Sequence, residues 1–153
     1  MGKKIDLASV PHRVGTGYPP PYDARCKERD RRRLGLAAGL TQFGVNLLRL
    51  PPGQWSSQRH WQRGEDEFVY VLDGEVVMVT NAGEELMQPG DCAGFKAGDP
   101  DGHHFQNRSE KDALLLEIGT RLPGGDAAIY PDIDLHIDPG SGYRHKDGTP
   151  YQT

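Results

Sequence analysis

The chain has 153 residues, 35% of them hydrophobic, with 20 glycines and 12 prolines. That length suits one domain with one sizeable core, the glycine and proline content argues against long helices, and no run approaches the roughly 18 apolar residues of a membrane span. The formal net charge of -4 is uneven: residues 1–33 hold nine Lys/Arg against four acids, a net of +5, residues 34–125 carry -6 and residues 126–153 carry -3.

The first 33 residues read as a basic arm. The opening "MGKKIDLASVPHRVGTG" has charge but no apolar stretch, so no secretory signal is expected, and Asp6 stands where a myristoylation signal wants Ser or Thr. Two cysteines, Cys26 and Cys92, make no disulfide framework, and a reduced cytoplasmic protein is expected. Pro19 to Pro21 favour an extended segment. The densest basic run, Arg25 to Arg33, is interrupted by Glu28 and Asp30 and has no interleaved aromatic residue. It reads as a solvated mixed-charge linker, and no nucleic-acid partner is expected. A basic arm on an acidic body is expected to lie on an acidic surface, its own or a partner subunit's, and a homodimer whose arms cross between subunits is expected.

The texture changes at Leu34. "RRRLGLAAGL" is a poor helix because Gly35 and Gly39 weaken it. Gln42 to Leu50 is a strand candidate ending at Pro51-Pro52-Gly53. Glu67 to Leu72 is rich in β-branched and aromatic residues, and Asp73-Gly74 predicts a hairpin into "EVVMVT". Asn81-Ala82-Gly83 and Pro89-Gly90-Asp91 are further turns, "CAGF" and "HHFQNR" flank a loop, and Ala113 to Arg121 is the last apolar strand of the body. Strands at intervals of about ten residues predict an all-β antiparallel sandwich or barrel. In the tail, Asp132 to Asp138 alternates: Ile133, Leu135 and Ile137 face one way, Asp132, Asp134, His136 and Asp138 the other, toward water. The expected organisation is an N-terminal arm (1–33), a barrel (34–125) and a C-terminal arm with one strand (126–153). Five of the six tyrosines lie in the arms, where they are expected to pin these segments down.

The chemistry gathers around His60. On a strand, His60 and Gln62 point to one side, and Glu67 follows across a turn containing Gly64. His103 and His104 are adjacent, so only one can point with that set. Two imidazoles and a carboxylate are the ligands of facial-triad iron centres and of some catalytic zinc centres, which keep open positions. No Walker or Rossmann fingerprint occurs. Cys92 reads as a buried structural cysteine rather than a nucleophile, and Trp55 and Trp61 as core or interface residues.

At these residues the sequence resembles the cupin family. Its first motif is Gly, five residues, His-x-His, three or four residues, Glu, six residues, Gly; His60, Glu67 and Gly74 match it. Its second is Gly, five residues, Pro-x-Gly, two residues, His, three residues, Asn; Gly90, Gly98, His103 and Asn107 match it. The resemblance spans about residues 43–119 and implies a double-stranded β-helix, a jelly-roll barrel, with its pocket inside. It carries over His60, Glu67 and His103 as metal ligands. Four departures stand out: Gln62 replaces the second histidine and Lys96 the proline, four residues separate Gly98 from His103, and Gly53 is one residue too far from His60.

The resemblance implies a small cupin that binds a divalent metal (Fe, Mn, Zn or Ni) and a small polar metabolite. An enzyme acting on a sugar derivative or oxygen-rich organic acid is expected, against the alternative of a non-catalytic sensor with a degenerate site. Gln62, His104, Tyr70 and Asn107 are the candidate pocket residues around the ligands. A general base would come from His104, Tyr70 or a neighbour the sequence does not reveal.

Overall fold

The computed structural model describes residues 2–152. Thirteen strands follow in order: β1 (Arg13–Val14), β2 (Asp30–Arg33), β3 (Phe43–Leu50), β4 (Trp61–Gln62), β5 (Glu67–Asp73), β6 (Val76–Thr80), β7 (Gly83–Met87), β8 (Cys92–Phe95), β9 (His104–Gln106), β10 (Ala113–Thr120), β11 (Ala128–Tyr130), β12 (Leu135–Asp138) and β13 (Gly142–Arg144). The α-helix is a single turn, Leu34–Ala37, as the glycines around it require. Six strands form one antiparallel sheet in the order β1-β2-β3-β10-β5-β8, three form β7-β6-β9, and four form β13-β12-β11-β4.

The six- and three-stranded sheets close on an aliphatic core: Leu48, Leu50, Val69, Val71 and Leu115 from the first meet Val76, Met87 and Phe105 from the second. Strand alternation explains the sorting. In register, Leu48 lies beside Leu115 and Leu115 beside Val71, all pointing inward. The same inward face then turns polar: Asn46, Glu117 and Val69 are aligned, and Glu67 is aligned with Gly119. One face of one sheet therefore supplies both the core and the floor of a polar cavity. Phe68, Tyr70 and Leu72 alternate onto the outer face and are exposed.

Asp73-Gly74 does not make the expected hairpin. Strand β5 pairs with β10 and β8, whereas β6 pairs with β7 and β9. The turn passes the chain from one sheet to the other. Gly74 is required there: its φ is +72°, and an added Cβ would lie 2.5 Å from the Asp112 carbonyl oxygen. Turn chemistry sets the local backbone but not the sheet that the next strand joins.

The N-terminal arm packs on its own barrel. Strand β2 extends the six-stranded sheet beside β3, and β1 follows at the edge. The run Arg25 to Arg33 is therefore no solvated linker: Arg29 and Asp30 are buried, and Asp30 meets Arg49 and His12. The C-terminal arm folds as β11–β13 against β4. Beneath both arms lies a second core of Tyr18, Cys26, Ala128, Tyr130 and Leu135, flanked by Tyr22, Tyr143 and Tyr151. Cys92, expected to be buried, is exposed; it lies on sheet-edge strand β8 aligned with Tyr70, so its side chain takes the outer face. The acidic side of the tail is partly neutralised, with Asp132 held by Arg59 and Asp134 by His145 and the Lys146 amide.

Candidate metal centre and its cavity

The centre begins with a backbone pair. His60 and His103 exchange both main-chain hydrogen bonds, at 3.1 and 2.8 Å, as directly opposed residues of an antiparallel ladder do. Opposed residues point to the same face, so the two imidazoles lie 4.9 Å apart, centroid to centroid. Glu67, the first residue of β5, enters from the six-stranded sheet. Its partner in register is Gly119, whose missing side chain leaves room.

His103 Nε2 lies 2.7 Å and His60 Nε2 3.5 Å from Glu67 Oε2. A nitrogen from each ring and a carboxylate oxygen fall within 4.8 Å of one another. Neither contact has the alignment of a hydrogen bond, and Oε2 is buried without a hydrogen-bond partner. Three ligand-type atoms this close together, on residues that also pair by charge, fit a shared cation. The tautomer agrees: His60 Nδ1 donates to the Gln58 carbonyl at 3.0 Å, which leaves the Nε2 lone pair free. Phe95 stacks on His103 at 3.6 Å and fixes that ring.

The electrostatics follow from one carboxylate serving two buried rings. Burial alone would raise the Glu67 pKa, but His103 and His60 pull it well below the ordinary carboxylate range. Burial pulls down both histidines. At His60 the Glu67 carboxylate overcomes it and the pKa rises; at His103 burial prevails and the pKa falls.

Two cavities meet at the cluster. The larger, about 940 Å³, is walled by the N-terminal arm and floored by Asn46, Glu117, His60, Glu67 and His103. The smaller, about 230 Å³, holds Trp61, Gln62 and Lys96 with Glu67 and His103 again. Gln62 thus lines the smaller cavity, beside two of the three cluster residues. The other candidate pocket residues lie elsewhere. His104 faces away from the cluster, because it follows His103 on a strand: its Nδ1 donates to the Ser57 carbonyl and its ring packs edge-on against Trp55. Burial brings it down to about 4. Tyr70 is on the outer face of β5. Asn107 is a buried clamp that donates to the carbonyls of Leu50 and Lys111 and accepts from Ser109.

Sequence reasoning missed Glu65, Arg29, Arg31 and Glu117. Glu65 lines both cavities, and burial together with Asp126 raises its pKa. Arg31 donates to both Glu117 oxygens, at 2.7 and 3.2 Å. A signal for the arginines existed: Arg29, Arg31 and Arg33 are spaced by two, the period that puts strand residues on one face.

Comparison with known proteins fits this arrangement. The Cupin domain family model matches residues 46–119. A crystal structure described as a sugar phosphate isomerase from a cupin superfamily, from Silicibacter pomeroyi, is 47% identical, covers 99% of this chain and 98% of its own, and superposes with a TM-score of 0.92. The chain is a cupin. A candidate sugar phosphate isomerase from Acidithiobacillus ferrooxidans is 26% identical over 95% of this cupin and 90% of its own chain, with a TM-score of 0.76. The polyketide cyclase RemF from Streptomyces resistomycificus, at 21% identity and a TM-score of 0.64 over 82% of this cupin and 85% of its own chain, shares the fold. No curated protein sequence matches significantly. This cupin has a His/Glu cluster that could hold a metal ion, with a cavity opening onto it.

Proposed function

We propose that this cupin is a metal-dependent enzyme acting on a small sugar derivative, with an aldose–ketose type isomerisation as its reaction. The supporting observation is the convergence of His60, Glu67 and His103 on one point at the floor of an open cavity. The Silicibacter pomeroyi protein, described as a sugar phosphate isomerase and alike over nearly its whole length, favours the sugar class. His60, Glu67 and His103 would hold the metal, with Gln62 beside them as a neutral amide. A divalent ion held there would supply a Lewis acid to polarise the carbonyl of an open-chain sugar. Moving a proton between adjacent carbons needs a group that is not a ligand. Neither His104 nor Tyr70 reaches the cavity, so Glu65 is the residue for that step. The arm closes one wall of the cavity and limits water. We place the protein as a homodimer, with the exposed Phe68, Tyr70 and Leu72 face as the contact.

The test is elemental analysis of purified wild type, His60→Ala, His103→Ala and His104→Ala, with an isomerase assay on aldoses, ketoses and their phosphates. Metal in wild type and His104→Ala, absent from the other two, is the expected pattern. Glu65→Gln should keep its metal and lose turnover by about a hundredfold or more. Wild type without metal overturns the proposal. Metal and ligand binding without turnover makes the protein a binding module instead. Light scattering checks the dimer; a monomer at tens of micromolar removes that part.

A further inference from the structure

Arg29 is a charged side chain without a counter-charge. It is only 9% exposed. Its Nε donates to the Gly15 carbonyl and its Nη1 to the Ser56 carbonyl; Nη2 makes no hydrogen bond, and no carboxylate lies within salt-bridge reach among the described residues. Its charge rests over the Tyr18 ring, 5.6 Å from the centroid. A guanidinium does not neutralise itself by losing a proton, so burying one unpaired is costly. A second guanidinium adds to the cost: Arg31 donates to the same Ser56 carbonyl at 2.9 Å. Between them the two have one carboxylate, Glu117, and it is committed to Arg31.

The surroundings repeat this imbalance. The large cavity is lined by Arg13, Arg29, Arg31, Arg33 and Arg121 against three glutamates, in a protein whose net charge is -4. Four of the nine Lys/Arg of the N-terminal arm, Arg13, Arg29, Arg31 and Arg33, thus line the space beside His60, Glu67 and His103. A cation bound at that cluster would make the cavity still more positive.

We propose that Arg29, with Arg31 beside it, seats an oxyanion: the phosphate or carboxylate end of the molecule whose other end meets the His60–Glu67–His103 cluster. Only the second half of that statement rests on the proposed metal enzyme; the seat itself is independent of it. A planar guanidinium with a free edge suits either oxyanion. The assignment makes the arm part of the binding site and restricts the substrate to anionic sugar derivatives or sugar acids.

The test is calorimetric titration of the full-length protein with inorganic phosphate, a hexose monophosphate, gluconate and neutral glucose. Phosphate or gluconate should bind and glucose should bind at least about tenfold more weakly than its anionic counterpart. Preference for the two phosphates identifies a phosphate seat, and preference for gluconate a carboxylate seat. Arg29→Met should weaken the favoured anion by about tenfold or more, Arg29→Lys by less, and the remote surface change Arg108→Met not at all. His60→Ala should keep anion binding while losing metal, so the seat and the metal enzyme fail separately. Anion binding lost in His60→Ala but kept in Arg29→Met overturns the seat, as does no anion binding by wild type. Should Arg29→Met not fold, wild-type crystals soaked in tungstate decide: an anomalous peak at Arg29 supports the seat, and a peak only at the histidine cluster, or none, overturns it.

Discussion

The core between the two barrel sheets and the core beneath the arms are built from different materials. The first is aliphatic, with Leu48, Leu50, Val71 and Leu115 fully enclosed, and what it needs from each residue is volume. The second is aromatic. Tyr18 packs edge-on against Tyr130 and tilted against Tyr143, and the Tyr18 hydroxyl accepts from the Gln58 amide. Each ring there brings a polar group into an apolar place. The aliphatic core is thus sensitive to size and the tyrosine core to hydrogen bonding and ionisation. The difference also has a position: the first core lies within the sheets, while the second ties chain ends to the loop that carries His60.

That contrast can be broken most forcefully in the barrel. Leu115→Ala removes a wholly buried side chain and should cost about 2–5 kcal/mol in denaturant unfolding. A loss below about 1 kcal/mol would mean that the aliphatic core is loosely packed. Gly74→Ala probes the same region through the backbone. Its Cβ would meet the Asp112 oxygen at 2.5 Å and Ala113 Cα at 2.8 Å at a positive φ, so a loss of about 1–3 kcal/mol is expected.

The tyrosine core should answer to alkali instead. Burial is the main reason that Tyr18 is pushed up to about 12 from its ordinary 10.0. Its folded pKa lies above the unfolded one, so its contribution is complete below pH 10.0 and is lost as pH rises toward about 12. Thermal unfolding across that window should show falling stability, and Tyr18→Phe should flatten the fall by on the order of 2 kcal/mol. An unchanged slope would place the ionising group elsewhere. The smallest effect belongs outside both cores. Arg108 and Glu84 share two contacts of 2.7 Å but are solvent-exposed, so Arg108→Ala should leave the melting temperature unchanged.

The barrel was legible in the sequence because it obeys local rules. Alternation marks β3, β5 and β10, and turn residues mark most boundaries. The grouping of His60, Glu67 and His103 was legible through the resemblance to the cupin motifs, and strand geometry alone said only that one of His103 and His104 could join it. The partner of β6 was not legible, because Asp73-Gly74 specifies a bend and not a sheet. The arms were harder still. Their contacts join residues far apart in the chain, such as Tyr18 with Gln58 and Arg31 with Glu117, and no local pattern encodes such distances. Arg29 looked like surface charge for the same reason. Cys92 was misjudged because hydrophobic character does not say which face of an edge strand a residue takes.

The short segment before His60 offers its main-chain carbonyls, in addition to its side chains, to the groups around it. The Ser56 carbonyl receives Arg29 and Arg31, the Ser57 carbonyl receives His104, and the Gln58 carbonyl receives His60. A carbonyl is the same in every amino acid, so these four contacts do not depend on the letters at positions 56–58, whereas those of the Ser57 hydroxyl with His60 and of the Ser56 hydroxyl with the Phe105 amide do. Length bears on all of them. Deleting one residue between Gly53 and His60 would shift every acceptor to a new donor at once. Among relatives, the number of residues in this segment is therefore a marker of a shared specificity alongside their identity.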